Sequence, residues 1–391
     1  MTIEEMRRLE RRYAVPVYVR SPIEFVRGEG TRLWDPEGHE YLDFFAGLSV
    51  HNLGHCHPRI VAAIREQAGL LAGSSNLFYS EPAMRLCERL SVSSLGGKVF
   101  LCNTGTEAVE CAIKLARKHA HRRGIESPEI VTLDGGFHGR TLGALAATPR
   151  LARDDLFGPL PDGFVAVPRD DPEALRAAIG PRTAAVMIEP IQGEAGIVLI
   201  ADEILIGARE ACEQHGAVLI FDEIQAGMGR TGSLWAYEQA PVRPDVITAA
   251  KALGGGLPVG AVVTAPELGD VFEPGDHGST FGGGPIAARA AIETLELIDD
   301  PVLLGRVREL GERFRLGLEA LEPVTEVRGR GLMVGVSLVP ELDAAAIRDR
   351  ALALGLVCNV PGRSMLRFLP PLTIAEADID EALDKLRRAL A

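Results

Sequence analysis

Short runs of aliphatic and β-branched residues recur through the middle of the chain, separated by segments whose apolar positions fall every three to four residues. The runs lie at 99–102, 130–133, 164–167, 184–188, 217–221, 246–248 and 261–264, and the helical patterns at 58–71, 82–91, 106–121, 172–179 and 202–215. Runs with no polar face suit strands buried on both sides. The alternation therefore predicts an α/β fold with a mostly parallel sheet between two layers of helices. Upstream, a charged helical arm at 2–12 leads past Pro16 and Pro22 to strand-like pieces at 25–27 and 31–34, with a turn at Asp35-Pro36-Glu37-Gly38. Downstream, one long helical pattern at 285–322 runs into a strand-like 331–338, a helix near 343–354 and a last helix from 375. The expected organisation is an N-terminal segment, 1–54, packed with a small domain; a large domain, 55–285; and a smaller C-terminal α+β domain, 286–391.

Composition narrows the function classes. The 391 residues are 47% hydrophobic and 24% charged, with a net charge of −13, enough chain for one large domain and a smaller one. So acidic a balance lacks the basic footprint that nucleic-acid backbones require. No uncharged apolar stretch reaches the roughly 18 residues of a bilayer span, and the first residues are charged from Glu4 onward with no apolar leader. A cytoplasmic protein without membrane association is expected. The 6 cysteines are dispersed, with no C-x-x-C pair, as reduced structural thiols are. His51, His55, Cys56 and His57 have the chemistry of zinc ligands, but Cys56 and His57 are neighbours and no second pair follows at finger spacing. Pro58 opens a helical pattern, so His57 is expected at a helix N-terminus and no metal is expected.

Three segments carry candidate chemistry. At Cys102-Asn103-Thr104-Gly105-Thr106-Glu107 a strand turns sharply into a strong helix, gathering free N–H groups, hydroxyls and the positive helix end where a phosphate could sit; the same pattern also serves as an ordinary N-cap. The apolar run 217–221 ends in Asp222 and Glu223 at the carboxyl edge of a parallel strand, where α/β sheets hold ligands. A carboxylate there can pair with a cation, bind a metal or cap a loop. Lys251 follows another strand, between small apolar residues and the glycines 254–256, and it is one of only five lysines in the chain. Desolvation lowers an amine's pKa and makes it nucleophilic. Together these describe a cofactor with a phosphate (Thr104, Gly105, Thr106), a protonated ring nitrogen (Asp222) and an aldehyde (Lys251).

With those residues in place, the chain resembles the class III (ω-amino acid) aminotransferases, pyridoxal 5'-phosphate enzymes of fold type I with a seven-stranded, mostly parallel large-domain sheet. The likeness runs from Arg27-Gly28-Glu29-Gly30 to Leu369-Pro370-Pro371-Leu372. Its most specific part is Phe221-Asp222-Glu223-Ile224-Gln225-Ala226-Gly227-Met228-Gly229-Arg230-Thr231-Gly232, with Lys251 29 residues after Asp222. The resemblance implies Gly105 and Thr106 as the phosphate turn, Phe137 stacked on the ring, Gln225 at its phenolic oxygen, and Glu223 beside Asp222 in the cofactor pocket. It implies Arg140 for a substrate carboxylate, Arg367 for the 2-oxoglutarate α-carboxylate, and Glu194 as a switch that masks Arg367. It also implies a homodimer with shared active sites: Ser279 and Thr280 reach the neighbouring subunit, Thr280 touching its phosphate. Ala226 and Gly284 depart from the usual Thr and Asn, which bears on local hydrogen bonds rather than on the reaction.

The implied reaction moves a terminal amine from a small-molecule donor to 2-oxoglutarate, giving glutamate. Residues 46–50 and 52–55 resemble the branch that acts on N2-acetyl-L-ornithine, and Leu48 stands where ornithine-specific members carry an aromatic residue. Tyr18 lies where that ornithine branch places a substrate-binding tyrosine, so ornithine and 4-aminobutyrate remain as other donors. A more distant reading, a nicotinamide oxidoreductase, rests on the G-x-G-x-x-G at 227–232. The following residues open no clean helix, and Pro241 and Pro244 interrupt the stretch before an acidic residue could meet a ribose.

Overall fold

The computed structural model describes residues 1–149 and 156–391. At its centre lies a seven-stranded sheet in the order Val99–Cys102, Gly260–Thr264, Val246–Ala249, Val218–Asp222, Thr183–Ile188, Glu129–Leu133, Phe164–Val167. Gly260–Thr264 runs antiparallel to both neighbours, and the other strands share one direction. Each apolar run of the sequence is a strand. Their side chains alternate between two cores. Val218, Ile220, Ala185 and Met187 pack under Ala108, Ala112 and Leu115 of the helix Gly105–Arg122. Leu219, Phe221, Val186 and Ile188 face the other way, toward Ile204, Leu205 and Ala208 of the helix Asp202–His215. That helix stops at Gly216, whose φ of +64° is a left-handed conformation that costs glycine nothing.

The long C-terminal helical pattern is two helices, Pro285–Ile298 and Pro301–Glu319. Asp299 leaves the helical conformation, and Asp300 caps the second helix, its carboxylate accepting from the Val302 N–H at 2.8 Å. Pro301 takes the first helical position, where its missing N–H costs nothing. Periodicity alone ran through this break because both helices bury the same side of the pattern. As expected, His57 precedes Pro58 at the start of the helix Pro58–Leu70.

The C-terminal region folds an antiparallel sheet, Val324–Arg330, Met333–Leu338, Met365–Phe368 and Asn359–Gly362, of which only the second strand stood out in the sequence. A further sheet joins the ends of the chain. Arg27–Glu29, Arg32–Trp34 and Glu40–Asp43 form a meander, and Leu356–Val357 adds to it in parallel. The rings of Phe44, Phe314 and Phe368 meet edge to face beside it, with centroids 5.2 to 6.4 Å apart. A small hairpin, Ile191–Gln192 with Val198–Leu199, carries Glu194 in its turn. Among the described residues no helix is long and apolar enough to cross a membrane.

The three phenylalanine rings tie the N-terminal segment to the C-terminal sheet, and Phe314 is 1% exposed. Phe314→Ala is expected to cost about 3–5 kcal/mol through lost burial and the cavity left behind. A denaturant midpoint that does not fall would show that the two ends of the chain are held together elsewhere.

Candidate active site

Parallel strands end on one edge, and the functional residues emerge there together. Asp222 closes Val218–Asp222, and its register partner Thr248 lies three residues before Lys251 on the adjacent strand. The strand Val99–Cys102 leads to Thr104–Thr106, Glu129–Leu133 to Phe137–Arg140, and Thr183–Ile188 to Glu189. These ends surround a cavity of about 440 Å³ lined by Thr104, Gly105, Thr106, Phe137, His138, Arg140, Glu189, Asp222, Gln225 and Lys251.

Asp222 is buried, and its carboxylate accepts from His138 Nδ1 at 2.8 Å, the Thr248 hydroxyl at 3.1 Å and the Ile224 N–H at 3.2 Å. Burial opposes a charge on His138, but the hydrogen bond and charge of Asp222, with Glu189 nearby, outweigh it and raise the imidazole pKa. Glu189 is buried next to this pair, bonded by the N–H groups of Phe137 (2.7 Å) and Gly193 (3.2 Å). Burial, reinforced by the Asp222 charge, holds its pKa above the ordinary carboxylate value. The Lys251 amine is shifted the opposite way. Loss of water lowers its pKa, against the pull of Asp222, Glu189 and Glu194. Lys251 also has φ +47°, a left-handed conformation unusual for a residue with a Cβ, held at the entry to the turn 251–254.

At the other end of the cavity Thr104 caps the helix Gly105–Arg122. Its hydroxyl accepts from the Glu107 N–H, and its carbonyl from that of Ala108. Among the described residues nothing accepts the N–H groups of Gly105 and Thr106, which border the cavity. The Thr106 hydroxyl lies 2.9 Å from that of Thr141 and accepts from the N–H groups of Arg140 and Thr141. Gly139 permits this approach: its φ is +143°, and a Cβ there would lie 2.4 Å from the Thr106 hydroxyl. The Arg140 guanidinium stands 5.4 Å from the centre of the Phe137 ring.

Arg367 is 2% exposed and fully engaged. Its guanidinium donates to Glu194 Oε1 (2.7 Å), Asn359 Oδ1 (2.6 and 3.0 Å), the Gly193 carbonyl (3.0 Å) and Gln225 Oε1 (3.2 Å). Burial acts to raise the Glu194 pKa, yet the charge and hydrogen bond of Arg367, aided by Lys251, bring it below the ordinary value. The arginine is thus covered by a carboxylate on a hairpin turn, within electrostatic reach of Lys251.

Arg367 and Glu194 flank the cavity without lining it, and three further expected site residues lie away from both. Glu223 does not line the cavity; its carboxylate accepts from the Ala236 and Tyr237 N–H groups, each at 2.7 Å, and burial pushes its pKa up to about 8. Successive side chains of an extended segment point to opposite sides, so Asp222 and Glu223 cannot both face one cavity. Tyr18 is 70% exposed on the N-terminal segment, with Arg20 over its ring. Thr280 is exposed and borders no part of this chain's own cavity, while the Ser279 hydroxyl accepts from Asn103 at its rim (3.2 Å). Sequence reasoning overlooked His138, Glu189 and Asn359. Glu189 was within reach, because it ends the apolar run 183–188 just as Asp222 ends its own. The run at 227–232 opens no helix; it is a series of turns with Arg230 buried among Ser49, Asn52, Leu332 and Pro370.

Comparison with known proteins agrees with this geometry. The Aminotransferase class-III family model matches residues 14–390. The acetylornithine aminotransferase of Caldanaerobacter subterraneus subsp. tengcongensis is 47% identical over 387 residues, covering 98% of each chain. That of Methanocaldococcus jannaschii is 45% identical, covering 97% of this chain and 96% of its own. Among solved structures, the ornithine aminotransferase of Toxoplasma gondii superposes with a TM-score of 0.94 at 34% identity, covering 100% of this chain and 95% of its own. The N-acetylornithine aminotransferase of Stenotrophomonas maltophilia gives 0.85 at 38% identity, covering 98% of both chains. A strand-edge cavity with this lysine and carboxylate, and a family match over nearly the whole length, lead to one conclusion: the chain belongs to the class III aminotransferases, whose cofactor is pyridoxal phosphate.

Proposed function

We propose that this enzyme transfers the terminal amine of N2-acetyl-L-ornithine to 2-oxoglutarate, leaving a semialdehyde and glutamate. The observation that carries the reading is the buried Arg367 covered by Glu194 beside Lys251. A donor reacting through its terminal amine brings no carboxylate to that spot, whereas 2-oxoglutarate and glutamate do. One guanidinium must therefore be masked in the first half-reaction and free in the second, and a carboxylate on a hairpin turn can leave without unfolding anything. The names of the relatives supply the donor, and Leu48 agrees with them.

The residues present fit pyridoxal phosphate. The unmatched N–H groups of Gly105 and Thr106 suit a phosphate, and a buried carboxylate bordering the cavity suits a protonated ring nitrogen. When bound, the cofactor supplies an aldehyde carbon for the incoming amine and a ring that accepts electrons. Thr104 shapes the turn, and with the cofactor bound Phe137 would offer its ring face and Gln225 would meet the phenolic oxygen. Asp222, held by His138, would keep the proton on the ring nitrogen. With the cofactor bound, the Lys251 Nζ would be the group that holds its aldehyde carbon and, once displaced by the donor amine, the base positioned to take the proton from the donor's reacting carbon. Arg140, at the cavity mouth, receives the donor's carboxylate.

Leu77, Phe78, Tyr79 and Phe281 are exposed, and Asn76 bonds the carbonyls of Ser279 and Gly282, so these residues form one apolar surface. We place a second copy of the chain there, its site completed by Ser279 as a substrate contact and Thr280 on its phosphate.

Single-turnover mixing of the holoenzyme with individual amines, followed by the bound cofactor's visible absorption, tests the donor. N2-acetyl-L-ornithine should react fastest; faster reaction with ornithine or 4-aminobutyrate would reassign the substrate. Arg367→Ala should raise KM for 2-oxoglutarate by about tenfold or more, the scale of a lost charge-assisted pair, while the donor half-reaction is largely kept. Equal losses in both halves would contradict the masking role.

A further inference from the structure

A second cavity, of about 290 Å³, opens between the helix Pro301–Glu319, the strands Val324–Arg330 and Met333–Leu338, and the turn at Thr231. Four arginines line it: Arg308, Arg315, Arg328 and Arg330. Two are neutralised within the protein. Arg315 pairs with Glu312 and Glu319, and Arg328 with Glu326 at 2.8 Å. The other two are not. Arg308 donates to the Gly232 carbonyl and Arg330 to that of Gln239 (3.1 Å), and among the described residues no carboxylate lies within 4.0 Å of either. Each guanidinium has five N–H donors, so most of theirs remain available. Glu312, the one acidic residue lining the cavity, is held by Arg315, which keeps its carboxyl below the usual range.

Like charges gathered in a concave site repel each other, and the low-dielectric walls of a cavity strengthen that repulsion. A chain with 54 acidic residues and a net charge of −13 has leftover carboxylates in plenty, yet spends none on Arg308 or Arg330. The geometry points to a binding site for a small multiply charged oxyanion, of the polycarboxylate or phosphate class, held by Arg308 and Arg330 with Arg328 and Arg315 at the sides. Arg328 also donates to the Gly196 carbonyl at 2.8 Å, so one wall of the cavity is bonded to the turn that carries Glu194. Planar guanidinium forks suit such anions because they offer paired parallel hydrogen bonds. The site is separate from the Lys251 cavity and shares no lining residue with it.

Titration calorimetry on the holoenzyme, with citrate and inorganic phosphate as separate probes, tests the assignment. At least one probe should bind, more weakly as salt rises, and raise the melting temperature. The Arg308→Gln/Arg330→Gln double variant should weaken that binding about tenfold or more, with the visible absorption of the bound cofactor unchanged. Because citrate can also visit the active site, the difference between the two proteins is the readout. Arg330→Lys keeps the charge and should retain most of the affinity, which separates loss of the site from loss of the fold. Binding of citrate alone assigns the polycarboxylate class, of phosphate alone the phosphate class, and of both a general oxyanion site. Failure of both probes to bind, or equal binding by the double variant, overturns the proposal.

Discussion

A carboxylate removed from water must be held by donors, and Asp222 has three of them: His138, Thr248 and the Ile224 N–H. The rest of the site depends on that arrangement. Burying a charge is unfavourable by several kcal/mol unless a partner meets it, and removing one member of such a pair strands the other. His138 is that partner, and its raised pKa reflects the same bond from the other side. The parallel register then fixes where the charge lies relative to the amine, because Asp222 pairs with Thr248 and Lys251 follows on the same strand end. The sheet therefore fixes the distance between the two groups more firmly than any loop could.

In the proposed reaction the Arg367 end of the site follows the opposite strategy. Arg367 lies on a strand and is as deeply buried as Asp222, but its main counter-charge, Glu194, sits in the turn of a separate two-stranded hairpin. A fixed cation with a movable anion can present two faces to two substrates. Lys251 feels both arrangements: Glu194 favours its charged form, while Arg367 disfavours it. Departure of the carboxylate would thus alter the amine's surroundings as well as free the guanidinium.

The sequence exposed those parts whose physics is local. Strands buried on both faces announce themselves as unbroken apolar runs, and each one expected in the central sheet is present. The C-terminal sheet was harder to see, since Asn359–Gly362 contains a proline and a glycine and Met365–Phe368 carries Arg367 in its middle. Lys251 stood out because lysine is rare here and its neighbours are apolar, and Asp222 because it ends a run. His138 carries no comparable mark: a histidine between two loop residues gains meaning only when the strand from 129 to 133 brings it to Asp222. Glu223, which the resemblance implied beside Asp222, faces away from the cavity because neighbouring side chains of an extended segment alternate in direction. Tyr18 was placed by resemblance alone, and nothing in its exposed surroundings ties it to the cavity.

The most direct check on the account is chemical rather than kinetic. Reducing the holoenzyme with borohydride fixes the cofactor to whichever amine holds it, and peptide mass spectrometry then reads the position. The label should appear on the peptide containing Lys251 and be lost in Asp222-intact protein only when Lys251 is replaced. A label on Lys98, Lys114, Lys118 or Lys385, or none at all in protein that carries the cofactor, would contradict the assignment of this cavity.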